Sequence, residues 1–311
     1  MTKVRDFLGP YRLTRLIRVG TSCQVWEAVD ETGGENKRYA LKVLRPDKRR
    51  DRAETGFLKH EYEVARTLSN PRIIKIHEYR VENKTPFLVL ELFSELNLKQ
   101  ALRRGTEGIA WLAEVIVEQA AEGLYYFHSK GWVHCDIKPD NFLVSREGQV
   151  KLIDFTISER KKSRLKRLFT FKKKTSAGTL SYMAPEQIKK GTLDERSDMY
   201  SFGCVLFELV AGRPPFTGST PNDLLSKHIS ASIPSPLGSN DSVSQDFADL
   251  VKRMMAKNPA NRPATMWEFL KEFRAVKMFK QPPRKPDIDV FAEVMSVKNP
   301  DQLIRTPDKP G

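Results

Sequence analysis

Cysteine is scarce: only Cys23, Cys135 and Cys204 occur, far apart and without a CxxC pair. That excludes a disulfide framework and a thiolate zinc site, and it suits a reducing cytoplasm. No run of about 18 apolar residues exists to be read as a membrane span. The opening "MTKVRDFLGPYRL" has no apolar stretch of signal-peptide length, so export is not expected. A GxxxxGK[ST] pattern is also missing, which excludes a P-loop nucleotide site. Acid is absent between Arg160 and Lys174, where "RKKSRLKRLFTFKKK" carries nine Lys or Arg. The chain as a whole has a net charge of +14, and a surface this basic attracts nucleic acid, anionic lipid or acidic protein. A solvated basic loop is the plainer reading of residues 160–174.

What is present points to two lobes with a cleft between them, because 311 residues exceed what one core usually organises. From Tyr11 to about Glu91 the pattern is strand-like. "YRLTRLIRVG" and "CQVWEAVD" alternate, and "RYALKVL", "IIKIHEYRVE" and "PFLVLELF" continue the set. One helix interrupts them at "ETGFLKHEYEVARTLSN", where Pro71 is expected to stop it. Beyond Leu96 the spacing is helical in "WLAEVIVEQAAEGLYYFHSKG", "RSDMYSFGCVLFELVAG" and "VSQDFADLVKRMMAKNP". The expected class is therefore α+β: a small β-rich lobe with one main helix over residues 11–92, and a larger, mainly α lobe over 93–275. Residues 1–10 read as an extension, and residues 276–311, rich in Pro and charge, as a tail or linker.

The chemistry concentrates in "WVHCDIKPDNFLV", residues 132–144, which sets Asp136, Lys138, Asp140 and Asn141 among apolar neighbours. A carboxylate on such a turn is well placed to act as a general base. On this segment alone an ordinary polar turn is an equal reading. Further along, "KLIDFTIS" ends an apolar run on Asp154, where a cation gives the acid a reason to sit beside Ile153 and Phe155. Asp154 and Asn141 offer one carboxylate and one amide oxygen, a donor set that suits Mg²⁺ when nucleotide phosphates complete the shell. Lys42 lies on an apolar strand and Glu61 on the small lobe's helix. Pairing them satisfies a buried ammonium that can also hold a phosphate.

With these residues in place the sequence resembles a Hanks-type serine/threonine protein kinase from Tyr11 to Phe273. "YALK" stands for the family's VAIK, "HCDIKPDN" for its HRDLKPEN, and "DFT" for its DFG. "GTLSYMAPE", "SDMYSFG" and "NRP" follow in the family's order. The resemblance implies a bilobal kinase fold, ATP and Mg²⁺, and transfer to serine or threonine hydroxyls of proteins, acidic ones in view of the basic segment. It implies that Asp136 orients the acceptor hydroxyl and takes its proton, and that Lys138 steadies the γ-phosphate. Asn141 and Asp154 would hold the metal, and Lys42, set by Glu61, the α- and β-phosphates. Arg18, Val19, Gly20, Val25, Ala40, Leu90, Glu91, Phe93 and Leu143 would surround the nucleotide, with backbone groups of Glu91 and Phe93 facing the adenine. Thr179 would bond Asp136 and Lys138, Glu186 would pair with Arg262, and Asp198 would support the catalytic-loop backbone.

Three departures from the family qualify this reading. The glycine-rich loop keeps only its middle glycine, Gly20, with Arg18 and Cys23 in the flanking positions. Thr156 replaces the glycine of DFG, so flipping of this segment should stiffen. Cys135 replaces an arginine that in many relatives reads an activation-segment phosphate, and a small neutral side chain cannot pair with an anion. Activity without phosphorylation of that segment is the expectation. Two other readings stay open: a pseudokinase acting as nucleotide-binding scaffold or regulatory module, and a small-molecule phosphotransferase, which "MAPE" and "SDMYSFG" disfavour.

Overall fold

The computed structural model describes residues 7–32, 36–161 and 177–287. Six antiparallel strands form the N-terminal sheet: β1 (Phe7–Leu8), β2 (Tyr11–Val19), β3 (Cys23–Asp30), β4 (Arg38–Leu44), β5 (Ile76–Glu82) and β6 (Thr85–Glu91), in the order β1-β2-β3-β4-β6-β5. The sheet thus begins before Tyr11. Phe7 and Leu8, placed by sequence in an extension, pair with Arg12 and Tyr11. Along β4 the side chains divide by the two-residue period of a strand. Leu41 and Val43 join a small core with Tyr11, Ala28, Phe87 and Val89, whereas Ala40 and Lys42 face the other way.

Helix α1 (Arg52–Ala65) begins where Asp51 accepts hydrogen bonds from the amides of Ala53 and Glu54. It buries Phe57, Leu58, Glu61, Val64 and Ala65, one stripe at helical spacing, and packs against β5 and β6. It ends six residues before Pro71. The Thr67 hydroxyl donates to the Val64 carbonyl at 2.7 Å, and Thr67 and Leu68 close three-residue turns onto Val64 and Ala65. The last turn therefore tightens and stops without help from the proline.

The C-terminal lobe is built on α2 (Ala113–Ser129), α3 (Glu195–Ala211), α4 (Pro221–Ser230), α5 (Gln245–Met254) and α6 (Met266–Phe273), with short strands β7 (Leu96–Asn97), β8 (Trp132–Val133), β9 (Phe142–Val144), β10 (Val150–Leu152) and β11 (Glu159–Arg160). β9 lies between β10 and β7, and β11 pairs with β8. Helix α3 lies buried on every side from Ser197 to Val210. Gly203 makes that burial feasible, since a Cβ there would come within 2.9 Å of Met254 Cβ on α5. Gly212 closes the helix in the left-handed conformation, φ 71°. Among the described residues no helix is long and apolar enough to cross a membrane.

The packed body also runs past residue 275. Met278 and Phe279 are buried, Phe279 bridges to Val243, and Lys280 N–H donates to Ser242 O at 2.8 Å. The Pro-rich stretch that suggested a tail from 276 starts only after these apolar anchors.

His228 on α4 is buried, with Nδ1 within 2.9 Å of the Tyr200 hydroxyl and the Lys257 ammonium bonded to its carbonyl at 2.9 Å. Burial, then the Lys257 charge, push its pKa from 6.5 down to about 4. Between those values the unfolded chain takes up a proton that the native state refuses, so stability falls as pH drops. We expect a loss of about 3 kcal/mol from this group between neutral pH and pH 4. Denaturation midpoints should show a flatter profile over that window for His228→Gln; an unchanged slope would remove His228 as its source.

Candidate active site

A cleft of about 690 Å³ lies between the sheet and the helical lobe, and every site residue named from the sequence lines it. Ile17, Arg18, Val19, Gly20 and Val25 come from β2, the β2–β3 turn and β3. Ala40 and Lys42 come from β4, Leu90 and Glu91 from β6, Phe93 from the connection that follows, and Leu143 from β9. The mixture of apolar walls and a few convergent polar groups is that of a small-molecule site.

On the sheet side, Lys42 Nζ donates to both carboxylate oxygens of Glu61, at 2.9 and 2.7 Å, and to Asp154 Oδ1 at 3.2 Å. Burial alone would lower the Lys42 pKa, but the carboxylates of Asp154 and Glu61 outweigh it and raise it, so the ammonium stays charged. Asp154 takes a left-handed backbone conformation, φ 65°, just after β10. Thr156, two residues on, does not, and so meets no β-branched strain.

On the helical side, Asp136 is held from several directions. Lys138 Nζ donates to its Oδ2 at 2.8 Å and to Thr179 Oγ1 at 2.9 Å. Asn141 Nδ2 donates to the Asp136 carbonyl at 2.8 Å and lies 3.3 Å from Oδ2. Asp136 Oδ1 is buried and has no hydrogen-bond partner among the described residues. The backbone ahead of it is fixed by Asp198 on α3, whose carboxylate accepts from the amides of His134 at 2.7 Å and Cys135 at 2.9 Å. Cys135 takes φ 66° to present its amide, and Gln187 Nε2 holds its carbonyl at 2.8 Å. The Cys135 side chain is buried, with Sγ directed at Val133 O, and burial pushes the thiol pKa well up. It is neither an anion reader nor a reactive thiolate. Arg262 grips Glu186 through two bonds, at 2.7 and 2.9 Å.

Several details differ from the sequence expectation. The Glu91 amide, expected to face the adenine, donates to Lys75 O at 2.9 Å. Arg18, at the first glycine position of the loop, reaches across the cleft to Asp140, with 3.6 Å between guanidinium and carboxylate. Gly20 closes the turn by donating to Cys23 O at 2.8 Å. In the basic run, Arg160 lies over the Trp132 ring at 4.1 Å and Lys161 pairs with Glu195. The rest of that run, residues 162–174, falls outside the described residues. Sequence reasoning also passed over Glu95. It lines the cleft with one buried carboxylate oxygen that has no partner among the described residues, and burial, then Glu147, raise its pKa. An acid in a loop after a strand carries no local signal of such a position.

Asn141 and Ile153 are tied by a backbone bond of 3.0 Å, which links the segments bearing the amide and the Asp154 carboxylate. Among the described residues no group of three or more His, Cys, Asp or Glu is arranged to hold a metal ion. One carboxylate and one amide fit magnesium bound together with phosphates, which keeps few protein ligands, better than a metal caged by protein alone.

A protein kinase domain model matches residues 11–274. The chain belongs to the protein kinase family. Among curated relatives, the serine/threonine-protein kinase PknH of Mycobacterium tuberculosis (strain CDC 1551 / Oshkosh) is 30% identical over 311 residues, 99% of this chain and 47% of the relative. The serine/threonine-protein kinase PknA of M. tuberculosis (strain ATCC 25177 / H37Ra) is 34% identical over 281 residues, 89% of this chain and 63% of the relative. A probable serine/threonine-protein kinase PknB of Bifidobacterium longum (strain NCC 2705) is 30% identical over 270 residues, 84% of this chain and 39% of the relative. The kinase chain thus spans about half the length of the PknH it matches.

Proposed function

We propose that this chain is a serine/threonine protein kinase that transfers the γ-phosphate of ATP to protein hydroxyls without phosphorylation of its activation segment. The observation that carries the reading is the state of Asp136. One carboxylate oxygen is braced by Lys138 and Asn141, and the other is buried with no partner among the described residues, in the cleft that Lys42, Glu61 and Asp154 also line. A fixed carboxylate with a spare acceptor orients a hydroxyl and takes its proton as the phosphoryl group moves. Lys138 stays within reach of the incoming phosphate, and Lys42, immobilised by Glu61, meets the α- and β-phosphates. Asn141 and Asp154 would hold Mg²⁺, which supplies charge neutralisation between the phosphates when bound. Val25, Ala40 and Leu143 enclose the base, and Glu95 is placed to accept from hydroxyls of the nucleotide.

The Cys135 side chain supports independence from segment phosphorylation, because it offers no cation to a phosphate. Acidic proteins are the substrates we assign to the basic segment, with residues from 162 onward as the contact, since Arg160 and Lys161 are engaged in the fold. Contact of the same run with anionic lipid or nucleic acid would give salt-dependent retention that neutralising these residues abolishes. A cytoplasmic setting fits the cysteine usage. The alternative, a nucleotide-binding scaffold, draws on Arg18 in place of a glycine.

One assay addresses these points: transfer of labelled γ-phosphate by phosphatase-treated protein. We expect equal rates before and after treatment. Silence that is relieved by phosphorylation would overturn the independence, and ATP binding without transfer in every form would favour the scaffold.

A further inference from the structure

The Lys42–Glu61 pair and the Asp154 carboxylate come from three separate parts of the chain, and Thr156 touches two of them. Its hydroxyl donates to Asp154 Oδ1 and lies 3.5 Å from Glu61 Oε2. Those same two oxygens accept from Lys42 Nζ, at 3.2 and 2.7 Å. Lys42 on β4, Glu61 on α1, and Thr156 and Asp154 after β10 therefore stand in a ring, in which Lys42 bonds both carboxylates and the single hydroxyl proton of Thr156 goes to Asp154. A glycine at 156 could supply no member of it.

We propose that Thr156 is a positioning residue that holds the metal-binding carboxylate of Asp154 where it meets the phosphate-gripping Lys42–Glu61 pair, so that the arrangement is assembled before any nucleotide or activating modification arrives. The inference deepens the kinase reading and rests on it for its consequence in catalysis. Three observations support it. Thr156 is 7% exposed, so water competes poorly for its hydroxyl. Its backbone avoids the left-handed region while Asp154 takes it, so the β-branched side chain sits here without backbone strain. The rest of the segment is clasped as well: His60 Nε2 on α1 lies 2.8 Å from Ser158 O, and Phe155 stacks on Phe127 with centroids 5.4 Å apart. Helix α1 thus meets the segment at Glu61, through Lys42, and at His60. In a kinase whose segment cannot be anchored through an arginine at 135, an internal fastener of this kind takes over the task.

Three variants test the ring, compared as phosphatase-treated proteins: Thr156→Ser keeps the hydroxyl, Thr156→Val keeps the shape, and Thr156→Gly restores the family residue. Two readouts are taken, kcat and KM for ATP in phosphate transfer, and hydrogen exchange of the amides of residues 58–62 and 155–158. A hydrogen bond to a charged group is worth about a factor of ten or more. The expected result is that Val and Gly lose about tenfold in kcat with a smaller change in KM, and that both segments exchange about tenfold faster. Ser should remain close to wild type in both. If Val matches Ser in both readouts, the hydroxyl fastens nothing and Thr156 merely fills its place. If the wild type transfers no phosphate at all, the kinase reading has failed, and the exchange comparison still decides for or against the ring.

Discussion

Asp136→Asn lowers the rate of phosphate transfer by about 10²–10⁴-fold, the range ascribed to a positioned proton acceptor, while nucleotide affinity stays near that of the wild type. The geometry explains why so conservative a change is so damaging. Oδ2 of Asp136 faces two donors, Lys138 Nζ at 2.8 Å and Asn141 Nδ2 at 3.3 Å. An asparagine must turn its carbonyl oxygen toward them, since its amide nitrogen would oppose donor to donor. The nitrogen then occupies the place of Oδ1, the buried oxygen with no partner among the described residues. A donor stands where the acceptor hydroxyl needs a base, with shape and neighbours kept. Lys42, Glu61 and Asp154 are untouched, so the nucleotide should still bind. Labelled γ-phosphate transfer and calorimetric titration with Mg·ATP, run on the same two preparations, check both halves. Equal transfer by the two proteins would mean that the phosphate is moved by something other than this carboxylate.

Much of this site was legible because it depends on short-range pattern. The two-residue period of "YALKVL" sends Ala40 and Lys42 to one face and Leu41 and Val43 to the other, and the structure divides them that way. In the catalytic loop, Lys138 and Asn141 lie near enough in sequence to reach Asp136 whatever the rest of the chain does. What sequence could not give is the meeting of distant side chains whose types are ordinary. Arg18 looks like a lost glycine until its guanidinium is found 3.6 Å from Asp140 in the other lobe. Thr156 looks like another loss until its hydroxyl is found between Asp154 and Glu61. The end of the packed body was misplaced for a related reason. "KMFKQPP" reads as the approach to a linker, and only the pairing of Phe279 with Val243 shows that Met278 and Phe279 anchor the C-terminal lobe.

Glu186→Ala should destabilise the folded protein by about 3–5 kcal/mol, the largest loss expected from a single surface-to-core polar change here. The Arg262 side chain is fully buried, 0% exposed, and Glu186 is its only carboxylate partner among the described ion pairs. Removing the acid strands a guanidinium in a site that water does not reach. Carbonyls of Arg196 at 2.6 Å, Ala256 at 2.7 Å and Lys257 at 3.3 Å keep some of its N–H groups bonded, and the Tyr200 ring lies 4.9 Å from its centre. These dipoles and the ring solvate the cation without neutralising it. Glu186→Gln, which restores one acceptor but no charge, should fall between wild type and Ala. The paired change Glu186→Leu with Arg262→Met should be less harmful than Glu186→Ala alone, because no unpaired charge remains. Denaturant midpoints of the four proteins give the order directly. Activity should fall with stability, because Gln187, the next residue, holds the Cys135 carbonyl beside Asp136 at 2.8 Å. A Glu186→Ala midpoint equal to wild type would show that the three carbonyls and the ring carry the guanidinium by themselves, and that the carboxylate adds no stability to the helical lobe.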